Sequence, residues 1–219
     1  MIVFLVGICL MGLFTYHTNS QIQNNQRTLA LMNAKTYGQR IEDDLEAGVQ
    51  ITNSLEQILI NSDGQVHDFS KIAKYVMSSS IQSVQLAPNG VVTEIYPENG
   101  NEAGKIDLLN DSNRSEISNY AKKYHTTIIQ GPFDLKQGGS GIAIRNPVYL
   151  EDESGQECFW GFTIVIVRVP KVFEDSTNAL SKFRYAYKIS KQESPWNKKY
   201  KEVYASTNKM IQPESYDFI

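Results

Sequence analysis

The stretch "GIAIRNPVYL" (141–150), with "FWGFTIVIVRVP" (159–170) shortly after it, decides the fold class. Read as a strand, the first segment alternates. Ile142, Ile144, Asn146 and Val148 share one face, and Gly141, Ala143, Arg145, Pro147 and Tyr149 share the other. One face is a plain apolar surface. The other sets a single guanidinium among residues too small to fill space, so Arg145 is placed to meet something that its own strand does not supply. The second segment is apolar over Phe162–Val167, as a strand covered on both faces is. Before them, "TIIQGPFDL" (127–135) reads as a third strand, and "IQSVQLAPNGVVTEIYP" (81–97) as two short strands around the hairpin signal Pro88-Asn89-Gly90.

Helical segments frame these strands. From about Thr18 to Ile60 there is no proline, and Ile41, Leu45, Val49, Thr52, Leu55 and Leu59 step by three or four, drawing one apolar stripe. About 43 residues at 1.5 Å each make a rod of about 65 Å, a stalk whose outer half packs on the domain. Its inner half is polar enough to stand in water or to pair with a second copy. "FSKIAKYVMSS" (69–79) predicts a short helix with Ile72, Tyr75 and Val76 inward. Asn113 with Glu116 predicts the capped start of another, with Ile117, Tyr120, Ala121 and Tyr124 on one side. After Pro170, "KVFEDSTNALSKF" is helical, and "YAYKIS" and "YKEVYAS" begin new strands. This order predicts an α/β (α+β) fold: a long N-terminal helix on a PAS-like five-stranded antiparallel sheet holding a ligand-sized hollow, and the start of a second, smaller unit. The expected segments are a partial membrane span over 1–17, a stalk over 18–60, a ligand-binding unit over 61–170, and a connecting helix with a truncated membrane-proximal unit over 171–219.

With 41% apolar and 21% charged residues in 219, the chain can bury an ordinary core. Its net charge of −3 and the lack of a Lys/Arg block exclude a nucleic-acid partner. Residues 177–219 nonetheless carry eight Lys or Arg against four Asp or Glu, a local excess that fits a solvated surface or a position near anionic headgroups. Cys9 and Cys158 give no disulfide framework, and His17, His67 and His125 lack ligand spacing, so no metal and no cofactor is expected. "QGGSG" (137–141) has neither the Lys-Ser ending of a phosphate loop nor the second glycine of a nucleophile elbow, and no catalytic residue is assigned. "MIVFLVGICLMGLFTYH" (1–17) has no charge, and the first charged residue is Arg27. About 15 apolar residues span about 22 Å against about 30 Å of hydrocarbon, which fits the outer part of a transmembrane helix with its basic flank upstream. A buried core helix is the alternative.

The tract "LAPNGVVTEIYPENGNEAGKIDLL" (86–109), joined to "YAKKYHTTIIQGPFDLKQGGSGIAIRNPVY" (120–149), resembles the CHASE family of extracellular sensor domains. The pieces are the hairpin "PNGVVTEIYP", the "DLL" after a glycine-rich loop, the "GPF-L" strand and the final "PVY", within about residues 81–150. The resemblance implies a transmembrane helix, a stalk, two stacked PAS-like units, a second transmembrane helix and a cytoplasmic effector such as a diguanylate cyclase or histidine kinase. In the plant cytokinin receptors of this family the aspartate of the "D-hydrophobic-hydrophobic" tract anchors an adenine-like ligand, and Asp107 matches it. A pocket threonine, aligned through Pro147, falls at Arg145. A guanidinium there disfavours adenine-type ligands and favours a carboxylate or phosphate.

The site thus expected comprises Asp107 and Arg145, with Tyr96 and Phe133 as aromatic walls. Plainer readings stand beside it. Asp107 caps the adjacent turn or pairs with Lys105, Arg145 pairs with Asp107 and closes the hollow, and the two aromatics are simple core. The leading expectation is an extracytoplasmic sensor domain on the cell membrane, without catalytic activity, binding a small anionic molecule. Closure of loop 98–110 would shift the stalk, and two copies would form a homodimer through it. The alternative is a membrane-anchored structural or protein-interaction module with a collapsed pocket.

Overall fold

The expected span and stalk form one uninterrupted helix, α1, over Ile2–Asn61, 60 residues long and about 90 Å from end to end. The computed structural model describes residues 2–98, 104, 106–135 and 138–206. α1 ends at "NSDG", where Asp63 and Gly64 take positive φ (48° and 79°) and the Gly64 amide donates to the Leu59 carbonyl at 2.9 Å. That is the left-handed exit that Gly and Asp tolerate best. Further along come α2 (Phe69–Val76), β1 (Ile81–Pro88), β2 (Glu94–Tyr96), α3 (Ser115–Tyr124), β3 (Ile128–Asp134), β4 (Ser140–Glu151) and β5 (Glu157–Val169). A 3₁₀ turn at Lys171–Phe173 leads into α4 (Glu174–Lys182), then β6 (Lys188–Ser194) and β7 (Asn197–Ala205).

β1 to β5 form one antiparallel sheet in the order β2-β1-β5-β4-β3, as the PAS-like reading requires, and β6-β7 form a separate two-stranded sheet. β5 takes the centre because its apolar run suits coverage on both faces. On one face Val84, Ile142, Ile144, Val148, Val165 and Val167 meet the stripe of α1, in which Ile41, Thr52, Leu55 and Leu59 are buried and Leu45 and Val49 are partly covered. Gly48, which the stripe passed over, is also buried there, because the end of the Ile144 side chain occupies the space a Cβ would need. Two polar bonds fix the seam. Thr163 Oγ1 donates to the Thr52 carbonyl at 3.0 Å, and Asn146 Nδ2 donates to Glu56 Oε2 at 2.8 Å. The other face carries Ala143, Phe162, Ile164 and Ile166, covered by Ile117 and Ala121 of α3 and by Val92, Ile95 and Leu108.

Local expectations shift in three places. Tyr75 is 91% exposed, because α2 turns Phe69 and Ala73 inward instead. Tyr124 is also exposed at the end of α3, while Ile117, Ser118 and Ala121 are buried. α3 begins at Ser115 without a side-chain cap from Asn113. Asp111 takes that part, its carboxylate accepting from the Asn113 amide at 2.9 Å and its carbonyl from the Ser115 amide at 2.8 Å. At the other end of the chain, every residue from Val3 to His17 is exposed, so this apolar segment is not a core helix. Among the described residues α1 is the one helix long and apolar enough to cross a membrane.

Gly161 is the tightest point of the sheet: its φ is +154° and a Cβ there would collide with the Ala87 carbonyl and lie 2.8 Å from Pro88 Cα. Gly161→Ala is expected to cost more than about 1 kcal/mol of stability, read from the midpoint of urea denaturation. An unchanged midpoint would mean that β1 and β5 do not approach this closely.

Candidate functional site

Arg145 is paired in register with Ile128 of β3 and Ile164 of β5, and its side chain emerges on the face away from α1, beside Ala143. It is 2% exposed. Its Nη1 donates to Gln130 Oε1 at 2.5 Å, and Gln130 in turn donates from Nε2 to the Asn113 carbonyl at 3.0 Å, which turns the amide oxygen toward the guanidinium. Arg145 Nε has no partner, and the group forms no ion pair among the described residues. Burial pushes its pKa down to about 10. Arg114 adds to this and Asp111 opposes it. The side chain is therefore charged at neutral pH, with one neutral amide as its compensation.

Such a charge is costly in a closed interior. Here it opens on a cavity of about 420 Å³. β3 shapes one wall, since its pairing with β4 breaks between Gln130 and Phe133 and Gly131 and Pro132 line the hollow. Gly131 has φ +131°, and a Cβ there would come within 2.8 Å of the Gly141 carbonyl, so only glycine lets the edge strand pass. Asn113 and Arg114 close another side from the start of α3, and Lys191, Glu193 and Lys201 from the β6-β7 hairpin close a third. Arg114 is already paired, its Nη1 lying 2.7 Å from Asp111 Oδ2. Four cationic side chains against Asp134 and Glu193 give the lining a net positive charge. Its size is that of a small-molecule site. A planar guanidinium with a free N–H in such a hollow is suited to hold a carboxylate or phosphate.

Of the four residues singled out from sequence, Arg145 and Phe133 share this cavity, whereas Asp107 and Tyr96 do not line it. Asp107 lies in a bridge with Val91, and its carboxylate accepts from the Leu109 and Asn110 amides at 3.0 and 3.1 Å and from Asn110 Nδ2 at 2.8 Å. The Asn110 side chain, followed by the two backbone amides, holds its pKa below the usual carboxylate range. Lys105 and residues 99–103 lie outside the described residues, so pairing with Lys105 and closure of loop 98–110 are not described. Tyr96 packs with the core on the α1 side, because Ile95, its neighbour, takes the opposite face. Arg114, Gln130, Lys191 and Lys201 were not singled out from sequence. The positive excess beyond residue 177 was the one trace of the two lysines.

A second cavity, of about 450 Å³, lies between Ile41, Leu45 and Val49 of α1, Ile128 and Ile129 of β3, and Ile189 of β6. Lys191 and Glu193 line both cavities, making β6 their shared wall. Among the described residues no group of three or more His, Cys, Asp or Glu converges to hold a metal.

Residues 21–197 match the family model of the CHASE domain. A solved structure, an extracellular ligand binding receptor from Desulfohalobium retbaense DSM5692, is similar in fold, with a TM-score of 0.52 at 14% sequence identity. That match covers 68% of this chain and 26% of the receptor, so the chain spans about a quarter of the receptor's length. No curated protein matches the sequence.

Arg145→Met keeps the length of the side chain and removes its charge. Without ligand it is expected to raise stability at neutral pH by up to about 3 kcal/mol, the equivalent of the depressed pKa. The difference should shrink as pH rises above about 10: there the folded protein releases the proton while the unfolded chain still holds it, and the wild type gains stability. Urea denaturation of both proteins at pH 7 and at alkaline pH measures this. A clearly less stable Met variant at pH 7 would show that the charge is compensated.

Proposed function

The chain belongs to the CHASE domain family, a family of extracellular sensor domains, and from that we propose that it is the extracytoplasmic ligand-sensing domain of a transmembrane signalling protein, with a small anionic ligand bound at Arg145. The observation that carries this reading is the buried, charged guanidinium of Arg145, its Nε unpartnered, in the lining of a basic hollow of about 420 Å³. Phe133 supplies an apolar wall. Asp107 acts from outside the cavity, holding the turn whose Leu109 carbonyl accepts from Asn119 of α3 at 3.2 Å. Tyr96 serves the packing of the α1 side. The rival, an interaction module with a collapsed pocket, calls for an Arg145–Asp107 pair together with a broad exposed apolar patch; Arg145 donates to Gln130, and Asp107 accepts from Leu109 and Asn110.

The relay in this reading runs through β6. An anion drawing β6 toward Arg145 displaces the wall that the ligand cavity shares with the space against Ile41, Leu45 and Val49 of α1. A coupling of about 1–3 kcal/mol changes effector output several-fold. The exposed apolar segment from Val3 to Phe14 anchors α1 in the cell membrane, and the sensor stands outside. Exposed Ile22, Leu29 and Met32 on the stalk suit pairing of two copies as a homodimer. The effector, a diguanylate cyclase or histidine kinase by family precedent, lies beyond this chain, which has no catalytic role of its own.

Thermal denaturation of the 219-residue chain in detergent micelles, against a panel of small carboxylates and phosphates, tests the proposal. A ligand at one hundred times its Kd should stabilise the fold by about 3 kcal/mol. Arg145→Met should abolish the shift and Phe133→Ala should weaken it. An equal shift in Arg145→Met would remove Arg145 from the site.

A further inference from the structure

The cavity at Arg145 holds a second concentration of positive charge. Lys191 of β6 and Lys201 of β7 are direct cross-strand partners, and both line the cavity. Side chains opposite each other on antiparallel strands have Cβ atoms about 4.5–5.5 Å apart, and like charges so placed destabilise the pair. The same hairpin avoids this elsewhere, setting Lys188 against Ala205 and Ser190 against Glu202. Neither lysine forms an ion pair with a described residue. Glu193 Oε2 accepts from Asn197 Nδ2 at 2.7 Å, and Lys191 Nζ donates to the neutral Gln192 carbonyl at 2.8 Å. Asp134 is the other carboxylate of the lining, and Asp111, which does not line the cavity, pairs with Arg114. Burial, then the charge of Lys201, push the pKa of Lys191 down, with Glu193 opposing.

The two concentrations come from different sheets and line one cavity. Arg145 belongs to the five-stranded sheet and is buried, whereas Lys201 belongs to the two-stranded sheet and is exposed. The geometry points to a ligand with an anionic group at each end, a small dicarboxylate or a molecule of the same charge pattern, held by Arg145 at its inner end and by the Lys191–Lys201 pair at its outer end. This rests on the anion-binding reading above and adds the number and placement of the charges. Each end relieves a cost already built into the protein: a buried cation without a counter-charge at one, a like-charge cross-strand pair at the other. Binding also ties the two sheets together, since neither sheet alone supplies both contacts.

Isothermal titration of the full chain in micelles with succinate, glutarate and adipate, each against the monocarboxylate of equal carbon number, tests it. At least one dicarboxylate should bind about tenfold or more tightly than its match, the scale of one added charge-assisted contact. The double variant Lys191→Gln/Lys201→Gln should bring that ratio to about one, weakening dicarboxylates more than monocarboxylates, and Arg145→Met should lose both classes. A ratio near one in the wild type, a ratio that survives the double variant, or inorganic phosphate binding as tightly as the best dicarboxylate would each overturn the inference. Monocarboxylates bound through Arg145 with no preference for dicarboxylates would sink it and leave the anion site standing. No binding by either class would sink both.

Discussion

Along β4 and β5 the sheet lies so close to α1 that a Cβ at Gly48 would meet the end of the Ile144 side chain. Strict alternation then decides what happens on the far side. With Ile142, Ile144 and Val148 committed to the helix, Ala143 and Arg145 must point the other way. A slip of one residue would turn the guanidinium toward the apolar stripe of α1, so the seam holds β4 in one register. Asn146 shows how closely this is specified. It is polar on the helix-facing side, and it finds Glu56 of α1 and, through its Oδ1, Thr127 Oγ1 at 2.9 Å. The hollow at Arg145 is therefore a consequence of how the opposite face is packed.

Two arginines near the cavity show how burial decides electrostatic cost. Arg114 has a carboxylate at 2.7 Å but is about one-third exposed, so its pair with Asp111 contributes at most about 1 kcal/mol. Arg145 has no carboxylate partner and is almost wholly buried, and its desolvation outweighs anything the exposed pair returns. Gln130 offsets part of that through one hydrogen bond, and being neutral it leaves the field of the guanidinium largely intact. The protein thus carries a standing electrostatic cost at one point of its interior.

What could be read beforehand tracks the range of the physics involved. The stripe on α1, the five strands and the face taken by Arg145 all express periods of two or 3.6 within a short segment, and they were legible. Tyr75 was misplaced because a short amphipathic helix can turn by one position when a wholly apolar ring, Phe69, competes with a phenol for the interior. Asp107 had a local reading and a distant one, and three donors within three residues favour the local one. Tyr96 lies on the last position of a three-residue strand, where parity depends on the register with Val84, which no pattern so short can fix. Lys191 and Lys201 reach the cavity only because a hairpin more than 40 residues downstream of Arg145 folds back across it. Their sequence shows charge; their purpose is set by tertiary contact.

The unbroken course of α1 from Ile2 to Asn61 also fixes an angle. Each residue in a helix turns the remainder of the chain by about 100° and advances it by about 1.5 Å. Inserting or deleting a single residue near Asn25 would swing the sensing unit more than a quarter turn about the rod, whereas a change of seven would restore its heading to within about 20°. The length of this rod is accordingly quantised: evolution can lengthen or shorten it in heptad steps and keep the domain facing the same way.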